Sequence, residues 1–217
     1  MKGRKLVAWS RILNREFHVD VFEPRKQPSL MIVMFGGSGI GTEKYEERKR
    51  VLVPVFDEAL TELEREMSFQ FVFITAPYDI RFRDFGEFED DSRIWKEHVN
   101  SEIMPKLPDL PYYFIGYSGG FVLALNSLHM DEDCLGGGAL GGDGISSDIE
   151  EGPSWREPLA FYYNLSDKVF SANREAIHDL EEAGIARCFR KLPGGHDLRD
   201  YMKNQSFGGL IRRAFRI

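Results

Sequence analysis

One serine in this chain stands where its hydroxyl could act as a nucleophile. Gly116-Tyr117-Ser118-Gly119-Gly120 fits Gly-x-Ser-x-Gly, the pattern in which serine occupies a strained strand-to-helix turn. Small flanking residues suit it because the turn is too tight for side chains beside it. The bare pattern is weak in a glycine-rich chain, so context decides. An apolar run, Pro111-Tyr112-Tyr113-Phe114-Ile115, precedes it, and Phe121-Val122-Leu123-Ala124-Leu125 opens a helix after it. A serine hydroxyl is too weakly acidic to attack a carbonyl unaided. It needs a base in hydrogen-bond reach and a third group that orients the base.

Five histidines could supply the base. His18 lies on an N-terminal strand, His98 and His129 fall in or near helix ends, and His178 sits mid-helix. These four read as surface or packing residues. His196 differs, because it follows a strand and Pro193-Gly194-Gly195 in a loop at the same sheet edge as Ser118. For the acid, Asp167 follows the strand ending Asn164-Leu165, and Asp143 follows the preceding strand. Asp167 is preferred. Either aspartate could instead cap a helix or close a turn.

The elements that must position these groups alternate in type. Residues 4–23 read as two strands with a turn at Leu13-Asn14-Arg15, and Glu16 to Phe22 alternates apolar and polar side chains. Strand 30–35, a helix near 43–67, strand 69–76, a helix near 91–105, strand 111–115 and a helix near 119–129 follow. Strands 135–140 and 159–165, helix 171–183, strand 186–192 and helix 198–215 complete the pattern. Val51, Val55, Leu60 and Leu63 recur at roughly helical spacing in the first helix. Solid apolar strands between amphipathic helices predict an α/β fold: a mostly parallel sheet of about eight strands, helices on both faces and an antiparallel N-terminal hairpin. No linker or repeat divides the chain, so residues 1–217 are expected to form one domain.

The chain has 21 glycines among 217 residues, against an average usage of roughly 7%. They cluster at 36–41, 116–120, 136–144 and 194–195, each at the carboxyl end of an expected strand, where open α/β sheets bind ligands. For Gly136–Gly138 a simple tight turn is the preferred reading.

Composition excludes several classes. A net charge of −7 disfavours nucleic-acid binding. The longest apolar run, Leu30 to Phe35, is far short of the ~20 residues of a membrane helix, and no signal peptide is legible. Cys134 and Cys188 read as buried free thiols, which fits a reducing cytoplasm. No CxxC, HExxH or Cys/His cluster suggests a metal site, and no cofactor is expected. Gly36 to Gly41 does not satisfy G-x-G-x-x-G in register, because position 42 is threonine, and no Gly-Lys-Ser/Thr forms a P-loop.

From the strand at 31–35 to the helix after His196, the chain resembles the α/β-hydrolase family. Ser118, Asp167 and His196 follow that fold's order of nucleophile, acid and base. Within it the chain is most similar to small single-domain serine esterases of the carboxylesterase, dienelactone-hydrolase-like and prolyl-oligopeptidase-like types. Dienelactone hydrolase itself uses cysteine, so Ser118 argues against that chemistry. The resemblance implies a serine hydrolase acting on a small carboxylic ester or thioester. It implies an oxyanion hole built from the backbone N–H of Gly119 and that of Gly37 or Ser38, since Phe35-Gly36-Gly37-Ser38 matches the family's oxyanion loop. The alternatives are a serine peptidase or amidase, or a non-catalytic binding protein of the same fold. The 18 or so residues between the strands at 135–140 and 159–165 are too few for a large cap. Pocket walls are therefore sought in Tyr78 to Trp95, with Tyr78 and Phe82 as candidates, and at Trp155.

Overall fold

The computed structural model describes residues 2–10, 15–37, 42–75, 96–129, 131–203 and 206–215. Eight strands form one sheet: β1 (Lys2–Ser10), β2 (Arg15–Glu23), β3 (Leu30–Phe35), β4 (Phe69–Ile74), β5 (Tyr112–Tyr117), β6 (Cys134–Leu140), β7 (Leu159–Asn164) and β8 (Ala186–Leu192). Their order is β1-β2-β4-β3-β5-β6-β7-β8. The β1–β2 and β2–β4 pairs are antiparallel and every other pair is parallel. The chain steps outward from β3 to β4, then returns to pair β5 on the other side of β3. The carboxyl ends of β3 and β5 thus flank a point where the winding reverses, which is where such sheets take ligands.

Two-residue periodicity builds two cores. Ile32 and Met34 of β3 join Phe69, Phe71 and Phe73 of β4 on one face. That face is covered by α1 (Thr42–Glu64), α4 (Leu198–Lys203) and α5 (Ser206–Phe215). Met31, Val33 and Phe35 join Val72 and Ile74 on the other. There α2 (Gly120–Leu128), α3 (Val169–Glu182) and a π turn at Val99–Ile103 pack. Burying a Leu, Ile or Phe side chain contributes about 1.5–3 kcal/mol each, so both stripes fix the helices firmly.

Several expectations need correction. The buried stripe of α1 is Leu52, Val55, Phe56, Leu60 and Leu63, whereas Val51 is half exposed. One residue of offset turns a helical side chain by about 100°, which is enough to move it off the stripe. The described part of the helix expected near 91–105 is one α turn, the π turn and a 3₁₀ turn at Met104–Lys106, which carries Pro105. The helix expected over 198–215 is two helices. Leu198, Tyr201 and Met202 are buried on α4, and continuing that stripe would bring Gly208 and Gly209 inward. Phe207, Leu210 and Ile211 are buried instead, which requires a new helix.

Gly136, Gly137 and Gly138 are not a turn. They lie inside β6, pairing β5 and β7. A Cβ on Gly137 would stand 2.1 Å from the Phe114 ring, and one on Gly138 2.6 Å from the Ala160 carbonyl oxygen. Packing requires glycine at 137 and 138, and at Gly136 the backbone itself does, with φ 139°. No helix interrupts residues 141–158 between β6 and β7, so no cap is inserted at that point.

Candidate active site

Ser118 follows β5 directly and has φ 54°, the one positive φ among described non-glycine residues. The strain is held from several sides. The Ser118 amide donates to the Leu140 carbonyl at 3.1 Å, and its carbonyl accepts from the amides of Phe121 and Asp143. Glycines let the turn close. A Cβ on Gly116 would fall 2.0 Å from the Phe121 Cα, and one on Gly120 2.6 Å from the carbonyl oxygens of Phe35 and Gly36.

The loop after β8 brings His196 to this serine. The Ser118 hydroxyl and His196 Nε2 are 2.9 Å apart, and His196 Nδ1 is 2.9 Å from Asp167 Oδ2. The Gly194 carbonyl accepts from the Ser166 amide at 3.0 Å, the Gly195 carbonyl from Asn164 Nδ2 at 3.0 Å, and the Gly195 amide donates to Asp200 at 3.2 Å. The loop is thereby tied both to the end of β7 and to α4.

Asp167 is fully buried in its side chain. Burial alone would raise its carboxyl, but donors outweigh that and hold it below the ordinary carboxylate value. Its Oδ2 faces His196 Nδ1 and accepts from the Tyr201 hydroxyl, while its Oδ1 accepts from the Val169 amide at 2.9 Å. Asp167 thus presents one oxygen to the Val169 amide at the start of α3 and the other to the histidine. Asp143 instead accepts from the Gly144 amide and Asn173 Nδ2, so it is a turn and helix-tethering residue here.

Gly37 lies against Ser118, since a Cβ built on it would stand 2.7 Å from the Ser118 Cβ. Gly119 caps the amino end of α2, where free amides and the helix dipole favour negative charge. Ser38, Tyr78 and Phe82, with the whole stretch 76–95, lie outside the described residues. Trp155 is not near the edge of the sheet that carries Ser118. It packs on Phe114, with ring centroids 6.1 Å apart, and its neighbour Arg156 bonds Leu135 at the start of β6. An apolar floor inside the sheet attracts its ring more than the solvated loops do.

The other histidines are elsewhere. His98 is buried with Nδ1 2.8 Å from Glu102, and desolvation lowers its pKa. His129 contacts the Leu125 carbonyl, and exposed His178 lies 3.5 Å from Glu182. Cys134 is a buried free thiol, but Cys188 is only partly buried.

Sequence reasoning missed Tyr117, Gly141, Asn164 and Tyr201. Tyr117 stacks on His196. Gly141 has φ 56°, and a Cβ there would stand 2.8 Å from Asp167 Oδ2 and from the Tyr201 hydroxyl oxygen, and 2.9 Å from His196 Nδ1. An asparagine ending the apolar strand Leu-Ala-Phe-Tyr-Tyr was the available signal for Asn164. Nothing comparable marked Tyr201.

Sheet order, helical layers and the turn at Ser118 define the α/β-hydrolase fold. Similar solved structures include the enterobactin esterase FES from Shigella flexneri, with a TM-score of 0.68 and 14% identity, aligned over 100% of this chain and 60% of that one. A ferulic acid esterase matches with TM-score 0.63 and 16% identity over 99% and 98% of the two chains. S-formylglutathione hydrolase (FrmB) from Staphylococcus aureus matches with TM-score 0.65 and 13% identity over 98% and 96%. This chain thus spans under two thirds of the Shigella esterase. No protein-family model matches the sequence, and no curated protein matches it. Among the described residues no helix is long and apolar enough to cross a membrane.

Proposed function

We propose that this chain is a serine hydrolase that cleaves a small carboxylic ester or thioester through an acyl-enzyme. The observation that carries the reading is the pair of 2.9 Å contacts on the two sides of the His196 ring, to Ser118 and to Asp167. His196 Nε2 takes the hydroxyl proton as Ser118 Oγ bonds to the substrate carbonyl carbon. Asp167 keeps the Nδ1–H tautomer and stabilises the imidazolium. The oxyanion is met by the amide of Gly119 and that of Gly37 or Ser38, each donor worth about 10²–10³ in kcat. His196 then protonates the departing alkoxide or thiolate, and water repeats the sequence to release the acid. The fold neighbours named above are hydrolases, two of them esterases, which favours an ester. The reaction needs no metal ion or cofactor, so dialysis against EDTA leaves turnover unchanged.

The test is a panel of p-nitrophenyl esters of graded chain length, with a thioester and an aminoacyl amide, alongside a fluorophosphonate probe. Ester turnover and labelling at Ser118 are expected. Preferred cleavage of the amide would move the assignment to a peptidase or amidase. A folded protein inert to the probe would make it a binding protein.

A further inference from the structure

We infer that Tyr201 is a positioning residue of this site, its phenol holding the carboxylate of Asp167 at the angle that His196 needs. The inference rests on the serine-hydrolase reading.

Tyr201 is fully buried on α4, in the first helix after the His196 loop. One short segment therefore supplies both the histidine and a donor to the histidine's acid partner. The phenol is itself constrained, because its oxygen accepts from the Asn164 amide at 3.3 Å. With that lone pair engaged, its single proton is directed at Asp167 Oδ2. Asn164 spends its side-chain nitrogen on the Gly195 carbonyl, so one residue anchors both the phenol and the histidine loop. Gly141 closes the arrangement. Three atoms, from Asp167, Tyr201 and His196, converge within 2.9 Å of where its Cβ would be, so the phenol belongs to the same packed junction as the acid and the base.

A carboxylate bonded only to imidazole could rotate and exchange its oxygens. Here each oxygen has its own partners. Oδ1 is fixed by the Val169 amide, and Oδ2 is shared between His196 and the phenol. The phenol also draws negative charge from Oδ2, which moderates how strongly Asp167 stabilises the imidazolium. Other titratable groups around the pair are Tyr117 from β5, Asp143 after β6, Tyr163 from β7 and Asp200 from α4. Burial drives Tyr163 and Tyr201 upward, so both stay protonated at neutral pH. All of these except Tyr201 are unchanged in the variant, and their influence cancels in the comparison.

The experiment follows the His196 imidazole by NMR titration in the full chain, in wild type and in Tyr201→Phe, which keeps the ring and removes the hydroxyl. Removing the donor concentrates charge on Oδ2 and favours imidazolium. The His196 resonances are therefore expected to titrate at higher pH in the variant than in wild type. The acid limb of kcat/KM moves to higher pH with it, and kcat falls about threefold to tenfold at unchanged KM as the carboxylate loses its aim. An unmoved His196 titration overturns the inference whatever happens to kcat, because a packing role would leave it unmoved. The titration needs no turnover, so wild-type protein inert to fluorophosphonate would overturn the hydrolase reading separately.

Discussion

The ring of Tyr117 lies against the imidazole of His196, with centroids 5.2 Å apart and planes inclined by 22°, and its hydroxyl donates to the carbonyl of His196 at 3.1 Å. The residue just before Ser118 thus holds His196 by its face and by its backbone. Tyr117→Phe keeps the stack and loses one hydrogen bond, about 1 kcal/mol. Tyr117→Leu loses both, adding about 0.5–1.5 kcal/mol for the aromatic pair. Roughly a fifth of kcat should survive in the first variant and roughly a tenth or less in the second. Steady-state ester hydrolysis measures both, and full activity in the leucine variant would deny the stack a role.

Ser118→Ala and Ser118→Gly both remove the hydroxyl, and both should lose turnover and fluorophosphonate labelling. They differ in stability. At φ 54° an alanine Cβ carries a steric cost that glycine lacks, about 1–2 kcal/mol less the greater chain entropy glycine surrenders on folding. The glycine variant is therefore expected to unfold at equal or higher urea concentration than the alanine variant. The reverse order would contradict a strained turn.

Asp167→Asn should lower kcat by on the order of 10³–10⁴, by the loss of the correct imidazole tautomer. It also changes acid sensitivity. The folded carboxyl sits below its ordinary value, so the native state binds fewer protons than the unfolded chain in acid. Its stabilisation is complete above the unfolded value, near 4, and is lost as pH falls through the lower folded value. The stability gap between wild type and Asp167→Asn at pH 5 should therefore begin to close below about pH 4 and vanish once pH has fallen through the lower folded value. Urea unfolding at a series of pH values follows it.

Burial pushes both cysteine thiols up to about 12, so neither is a thiolate at neutral pH. Ellman's reagent should react slowly with native protein and release two equivalents after unfolding. Alkylation of the native enzyme should leave ester hydrolysis intact, and inactivation that tracks modification of one cysteine would refute this.

Much of this was legible because the signals are local. Strand alternation at Met31 to Phe35 assigns side chains to two faces without any knowledge of the partners. Ser118 and His196 carry glycine beside them, so the sequence itself marks where the backbone must turn tightly. What escaped is non-local. Tyr201 reads as one apolar residue of an amphipathic helix, and only the approach of Asp167 from 34 residues away turns its hydroxyl into a donor. The Gly136–Gly138 run looked like a turn because the Phe114 ring that excludes side chains there comes from another strand. Trp155 looked like a pocket wall for the same reason, its floor being supplied by Phe114.

The glycines of β6 also set a height. A Cβ on Gly138 would stand 3.0 Å from Leu210 Cδ1, so the bare backbone there is what lets the Leu210 side chain of α5 settle against the sheet. Because α5 contacts α4, the elevation of one helix is passed to the other, which carries Tyr201. An alanine at position 138, more than twenty residues from Asp167 and His196, would act as a shim under the assembly. Trimming Leu210 to valine would relieve only the helix side of that contact, because the Ala160 carbonyl oxygen would still stand 2.6 Å from the new Cβ, so Gly138→Ala should stay destabilising in the double variant.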